Sequence, residues 1–158
     1  MSVRFASVPE LGRVAFGPML ESERGLVLHS FVHGYVDALG HGAKSGSPHR
    51  HAYLASFGHE AERLLDAGAD VIVARDSECD ARAYGWVMFD APRDAVHWVS
   101  VKQDFRRLQL GSLLLQAAFP HGASWYTLRS RFDQKAEALG MRYRVPIRLV
   151  HSPRRRSA

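Results

Sequence analysis

The 158-residue sequence predicts one mixed α+β domain, a central and mostly antiparallel sheet flanked by helices. Three observations carry that expectation. Val71 to Val101 holds three short apolar runs separated by tight turns, the pattern of an antiparallel meander. Two stretches before it and one after it place apolar residues at helical spacing. Finally, His97 to Phe119, HWVSVKQDFRRLQLGSLLLQAAF, passes from a strand pattern through a basic bend directly into a helix pattern. The expected order is β-α-α-β-β-β-α-β-α-β over residues 1–150, with a basic tail at 151–158.

Taken in order, Val3 to Val8 and Arg13 to Met19 read as a first strand or hairpin, punctuated by Gly12, Gly17 and Pro18. Glu21-Ser22-Glu23 opens a helix with acids in its first turn, where the helix dipole favours them. Its apolar set is Leu26, Val27, Phe31, Val32, Tyr35 and Val36. His29 and His33 stand i, i+4 on it, a spacing that can present two metal ligands. With no acid between them and no third ligand in sight, the pattern favours histidines that line a groove or the helix surface. Gly40 to Ser47, GHGAKSGS, reads as a flexible connection, and Pro48-His49-Arg50-His51 as solvated loop. A second helix runs from about Ala52 to Ala67, with Leu54, Phe57, Ala61, Leu64 and Leu65 on one side, and Gly68 ends it.

The strands VIVAR at Val71 to Arg75, YGWVMF at Tyr84 to Phe89 and His97 to Val101 follow. They are joined by the acidic turn SECDAR and by Ala91-Pro92-Arg93-Asp94. After the helix that begins at Gly111, Trp125 to Leu128 reads as a strand and Arg131 to Leu139 as a short helix. Arg142 to Val150 closes the order as a strand that Pro146 confines to an edge or a bulge. His151 to Ala158 reads as a solvated arginine-bearing tail.

Composition narrows the class. Apolar residues make up 46% and charged residues 23%, the balance of a soluble globular domain. No apolar run suits a bilayer and the N-terminus lacks a signal-peptide core, so no membrane association and a cytoplasmic location are expected. The one cysteine, Cys79, sits among acids that would raise its pKa, which suits an incidental thiol in a reducing compartment. A net charge of +5 favours anionic partners without choosing among them. No basic stripe interleaved with exposed aromatics is visible, so nucleic acid is an open partner and not an indicated one.

The bend between Val101 and Ser112 carries the chemistry. A strand that feeds through a basic turn into a helix leaves the first-turn amides unpaired, and the macrodipole adds positive charge there. Gly111 lets the backbone approach a phosphate, Ser112 can cap or donate, and Arg106 and Arg107 supply fixed charge. The residues alone suggest a pyrophosphate cradle, beside the plainer reading of a β-α junction with two solvated arginines.

The segment VKQDFRRLQLG, Val101 to Gly111, resembles the acetyl-CoA signature of the GNAT superfamily of N-acetyltransferases. That signature is a strand ending in Val, a polar bend, then Arg/Gln-x-x-Gly-x-Gly/Ala opening a helix. Arg106 matches its first position and Gly111 its last. Gln109 replaces a glycine, which disfavours a positive φ at that position and implies an altered loop shape.

The resemblance implies the GNAT fold, acetyl-CoA as cosubstrate and direct attack by a primary amine. It places the pyrophosphate against Arg106, Arg107, Leu108, Gln109, Leu110, Gly111 and Ser112. It pairs the pantetheine arm with Val99 and Val101, where a bulge aims backbone N–H at the thioester carbonyl. Across that gap it sets Trp125 to Ser130 as the next wall. His97, alternating with Val99 and Val101 and therefore expected on their face, matches a strand histidine assigned base work in serotonin N-acetyltransferase. A half-buried histidine with one backbone hydrogen bond is the plainer alternative. No metal is implied.

Many relatives carry a tyrosine on the helix before the last strand as the acid for the thiolate. The matching region here holds Ala136 and Glu137, while Tyr126 and Tyr143 fall on strands. That absence, with Gln109, motivates an alternative: a non-catalytic module of the same fold that binds nucleic acid or protein through its basic surface. The resemblance also leaves room for a homodimer through the last strand or sheet edge. The acceptor amine is not identified by any motif.

Overall fold

The computed structural model describes residues 2–38, 48–128 and 133–144. Seven strands lie in one sheet in chain order: β1 (Arg4–Val8), β2 (Gly12–Pro18), β3 (Asp70–Asp76), β4 (Ala83–Asp90), β5 (Ala95–Val101), β6 (Trp125–Tyr126) and β7 (Arg142–Tyr143). The first five pair antiparallel, whereas β6 and β7 join parallel through helical crossovers. Four helices complete the order, α1 (Arg24–Ala38), α2 (Pro48–Asp66), α3 (Leu110–Ala118) and α4 (Asp133–Ala138).

Alternation along the strands builds two cores. On one face Val71 and Val73 of β3, Trp86 and Met88 of β4 and Trp98 of β5 pack against Val27 and Phe31 of α1 and Ala61 and Leu64 of α2. On the other face Ile72, Ala74, Val87, Phe89 and Val96 meet Leu110, Leu114 and Leu115 of α3, with Ala136 of α4 and Met141. Buried on both faces, β4 is the central strand of the sheet. At Gly34 of α1 an added Cβ would lie 3.4 Å from Trp98, so the missing side chain seats the helix on the indole.

The start of α1 is fixed to β3 by a buried ion pair. Arg75 donates from Nε and Nη2 to the two carboxylate oxygens of Glu23 at 2.9 and 2.7 Å, and Nη2 also reaches the Pro18 carbonyl. Glu23 accepts from the Leu20 N–H as well, at 2.7 Å, closing the turn that precedes the helix.

The mixed, mostly antiparallel architecture agrees with the expected class, and several boundaries differ. The N-terminal segment is a hairpin of two strands, with Glu10 and Gly12 at positive φ in its turn. Pro48 to His51, expected as loop, form the first turn of α2; proline at the first helical position costs no hydrogen bond. β6 is two residues long, shorter than the expected Trp125 to Leu128, and β7 is described at Arg142–Tyr143, the rest of its expected span (145–150) lying outside the described residues. The connection Gly40 to Ser47, Arg131, Pro146 and the arginine tail lie outside the described residues.

Candidate functional site

Ala95 and Val96 pair with β6, and the Thr127 N–H donates to the Val96 carbonyl at 3.0 Å. Beyond that bond β5 runs on to Val101 with no β6 partner among the described residues. The hydrogen-bond phase tells which groups this leaves open. Lys102 N–H donates across to the Tyr84 carbonyl, so in the alternating antiparallel ladder Ser100 and Trp98 also face β4. Val99 and Val101 therefore turn their N–H and C=O toward the open side. One of these groups is engaged already, since Arg106 Nε donates to the Val101 carbonyl at 3.3 Å.

The bend that follows is pinned by apolar side chains. Phe105 sits edge-on to Tyr84 at 4.8 Å, Leu108 packs on the α3-side core, and Leu110 is buried in it. The Phe105 and Arg106 amides close a short 3-10 turn onto Lys102 and Gln103. From Arg107 to Gly111, no acceptor among the described residues engages the backbone N–H groups. Ser112 and Leu113 then donate to the Gln109 carbonyl and start the helix.

Gln109 departs from the sequence expectation. Its φ is 60° and ψ 7°, so it adopts the left-handed conformation that its side chain disfavours, and Arg107 does so too at φ 73°. Alternating hands along a bend turn successive amides toward one point, the geometry of an anion nest. Each non-glycine in this region costs about 1–2 kcal/mol. Gln109→Gly is accordingly expected to stabilise the fold by about 0.5–1 kcal/mol after its larger unfolded-state entropy is set against the relieved strain. Urea denaturation checks this; a loss of stability would mean the bend is not held as described.

Gly111 has a different role from the one its position suggests. An added Cβ would stand 3.9 Å from Val99 and Val101, ordinary contact, so the residue faces β5 and not the amide cluster. One cation was not legible in the chain. Lys135, on α4, donates from Nζ to Ser112 Oγ at 3.4 Å. Its separation of 23 residues from Ser112 gave no signal; only the packing of α4 on the α3 side of the sheet brings it to the helix start. Arg106, Arg107 and Lys135 are all exposed there.

His97 is corrected in face and in acidity. Met88 pairs with Trp98 and Phe89 with Val96, so His97 is the extra residue of a β-bulge. The bulge breaks the alternation: Val96, Val99 and Val101 all point to the α3 face, while Trp98 points to the α1/α2 face. His97 is 8% exposed, and its Nδ1 shares a 2.6 Å hydrogen bond with Thr127 Oγ1. Glu60 and Arg63 of α2 are among the charged groups that act on it. The bulge thus falls at His97 and Trp98, ahead of the Val99 to Val101 stretch expected to hold it.

Burial, first, pushes the His97 pKa down to about 4; Asp90 and Glu60 oppose that shift, and Arg93 and Arg63 add to it. The ring is neutral at neutral pH and does not titrate near it. An unfolded histidine takes up a proton near pH 6.5, whereas the folded one resists until about 4. The fold therefore loses stability as pH falls through that window, by about 3 kcal/mol in total. His97→Gln is expected to flatten the stability profile between pH 6.5 and 4. An unchanged slope in denaturant titrations across that range would contradict the assignment.

The tyrosines considered for thiolate protonation are placed for packing. Tyr126 is buried, donates to Glu137 Oε1 at 2.8 Å and packs against the Tyr143 ring. Ala136 is fully buried in the core. His29 and His33 form a tilted ring pair 4.3 Å apart. Among the described residues no group of three or more His, Cys, Asp or Glu could hold a metal, and no helix is long and apolar enough to cross a membrane.

No family model matches the chain, and no curated protein does. Solved structures do. A protein of Pyrococcus furiosus, provisionally described as an acetyl transferase, superposes with a TM-score of 0.58 at 17% identity, covering 85% of this chain and 97% of that one. A GCN5-related N-acetyltransferase of Rhodopseudomonas palustris gives 0.46 at 15% identity over 74% of this chain, which spans 66% of that protein, just under two thirds. A similarly described acetyltransferase of Deinococcus radiodurans gives 0.44 at 17% identity, covering 87% and 88%. The first of these establishes likeness of fold.

Proposed function

On a chain that carries the GNAT fold, we propose acetyl transfer from acetyl-CoA to a primary amine by direct attack. The supporting observation is the run of amides from Arg107 to Gly111 with no acceptor among the described residues, at the start of α3 and next to the part of β5 that has no β6 partner among the described residues. These are the two features a diphosphate and an extended amide-bearing arm require: converging N–H donors for the first, an unpaired strand edge for the second.

The residues divide the work as follows. The amides from Arg107 through Leu108, Gln109 and Leu110 to Gly111 hold the pyrophosphate, with Arg106, Arg107, Ser112 and Lys135 as charge and hydroxyl partners. Val99 and Val101 pair with the pantetheine arm, which displaces Arg106 Nε from the Val101 carbonyl and frees that guanidinium for the phosphates. Acetyl-CoA supplies the thioester. The amine nitrogen attacks its carbonyl carbon, the C–N bond forms, the C–S bond breaks, and the thiolate leaves with the electron pair.

The nitrogen's surplus proton becomes acidic only as the C–N bond forms, so a weak base suffices to take it. Neutral His97, in the bulge where β5 and β6 part, is proposed for that step. With the Tyr126 hydroxyl committed to Glu137 and no donor on Ala136, water is the proposed source of the thiolate's proton, another side chain being the alternative.

Calorimetric titration with acetyl-CoA tests the reading, and absence of heat at millimolar ligand removes it. His97→Ala should abolish most turnover while acetyl-CoA still binds. The acid limb that His97 contributes to kcat/KM should fall near pH 4, well below an ordinary histidine. A limb near 6.5 that survives the substitution would take the base role away from it.

A further inference from the structure

The face of β6 and β7 opposite α4 carries a cluster that the acetyl-CoA assignment does not use. Tyr126 and Tyr143 point to the α4 side, where Tyr126 meets Glu137. Their neighbours Trp125, Arg142 and Arg144 therefore point to the other side, the one occupied further along the sheet by α1 and α2. Trp125 and Arg142 are directly paired in register. The Arg142 and Arg144 guanidinium carbons stand 5.9 and 5.5 Å from the indole centroid, so one aromatic ring holds two cations. Both arginines are exposed, Trp125 is half-buried, and no carboxylate among the described residues pairs with either guanidinium.

Asp94, on the turn bonded to Trp125, directs one carboxylate oxygen elsewhere: its Oδ2 accepts from the Ser124 N–H at 3.1 Å and its carbonyl from the Trp125 N–H. Two like charges held together without a counter-ion cost free energy that an oxyanion returns. Both guanidinium groups stand within cation–π range of the indole, and what the cluster offers beyond that contact is forked N–H donors. A fork of that kind fits a planar carboxylate in two parallel bonds.

The cluster is also close to the transfer site. Trp125 pairs with Ala95, two residues before His97 on β5, and Thr127, which holds His97, lies two residues after Trp125. At roughly 3.3 Å per residue, Ala95 to Val99 spans about 13 Å, the reach of one small molecule with charge at one end and an amine at the other.

We propose that Arg142 and Arg144, braced on Trp125, form a carboxylate clamp that selects acceptor amines bearing a carboxylate group. What the clamp is for rests on the transferase reading; that it binds a carboxylate does not. The test uses the full chain with its tryptophan indoles labelled with 15N. The Trp125 resonance is followed during separate titrations with succinate, inorganic phosphate and a short oligo-dT strand.

Succinate is expected to shift that resonance saturably. Arg142→Gln with Arg144→Gln should raise the apparent Kd about tenfold or more, and the double lysine variant, which keeps the charge but loses the forks, should fall between. Acetyl-CoA affinity should be retained in both variants. A response to phosphate alone, a response to oligo-dT alone with the steep salt dependence of counterion release, or no response at all would each overturn the clamp. A succinate response in a protein that binds no acetyl-CoA would keep the clamp and discard the transferase. Given turnover, amines carrying a carboxylate should exceed their neutral carboxamides in kcat/KM, and the glutamine variant should erase that margin.

Discussion

Glu23→Ala is expected to destabilise the protein by about 3–5 kcal/mol, enough to leave a marginal domain largely unfolded. The magnitude follows from what remains behind. Arg75 has 6% of its side chain exposed and Glu23 has 7%, so removing the carboxylate strands a guanidinium in the interior with the Pro18 carbonyl as its one hydrogen-bond partner among the described residues. The Leu20 N–H loses its acceptor at the same time. Arg75→Met tests the other half. Removing that cation leaves the Glu23 carboxylate buried with one backbone donor, so it too should be costly, while replacing both partners by apolar residues of similar volume should recover much of the loss. Thermal and denaturant unfolding of the two single variants and the double variant decides it. A loss under about 1 kcal/mol for Glu23→Ala would show a pair screened by solvent.

Gly85→Ala is expected to damage stability and acetyl-CoA binding together. An added Cβ would lie 2.5 Å from the Ser100 carbonyl oxygen and 3.1 Å from the Val101 Cα, both backbone atoms of the strand proposed to hold the pantetheine arm. Side-chain rotation cannot relieve a clash with backbone, so β4 and β5 must separate at this point. Overpacking of this kind costs about 1–3 kcal/mol, and more where the surroundings cannot move. Ser100 faces β4 in the ladder, so the displaced segment would carry Val99 and Val101 with it. Gly111→Ala is the matched control for stability, since its Cβ meets only ordinary contacts. Calorimetry and thermal unfolding on the two glycine variants read the difference. Equal, small effects would mean that the two strands are free to separate.

What is legible in the sequence depends on how local each signal is. The meander at Val71 to Val101 and the helix after the basic bend are carried by period and by turn residues, and both appeared where expected. Pro48 and two histidines resemble loop in sequence, yet they form the first turn of α2, where proline is at home. His97 was placed on the wrong face because alternation assumes an unbroken ladder; one extra residue opposite Met88 reversed it. Gln109 was expected to avoid positive φ, and local preference lost to Leu108 and Leu110, whose burial fixes the backbone between them.

Lys135 beside Ser112, and Trp125 between Arg142 and Arg144, had no sequence signature at all. Each joins residues that only parallel crossovers bring together.

By itself, then, the sequence determined the order of elements, the apolar faces that bury them and the basic bend before α3, because those rest on contacts within a few residues. The tertiary structure alone decided which amides stay open, how acidic His97 is and which cations gather on β6 and β7. Those properties depend on burial and on distances between segments far apart in the chain, and neither quantity is written in local pattern.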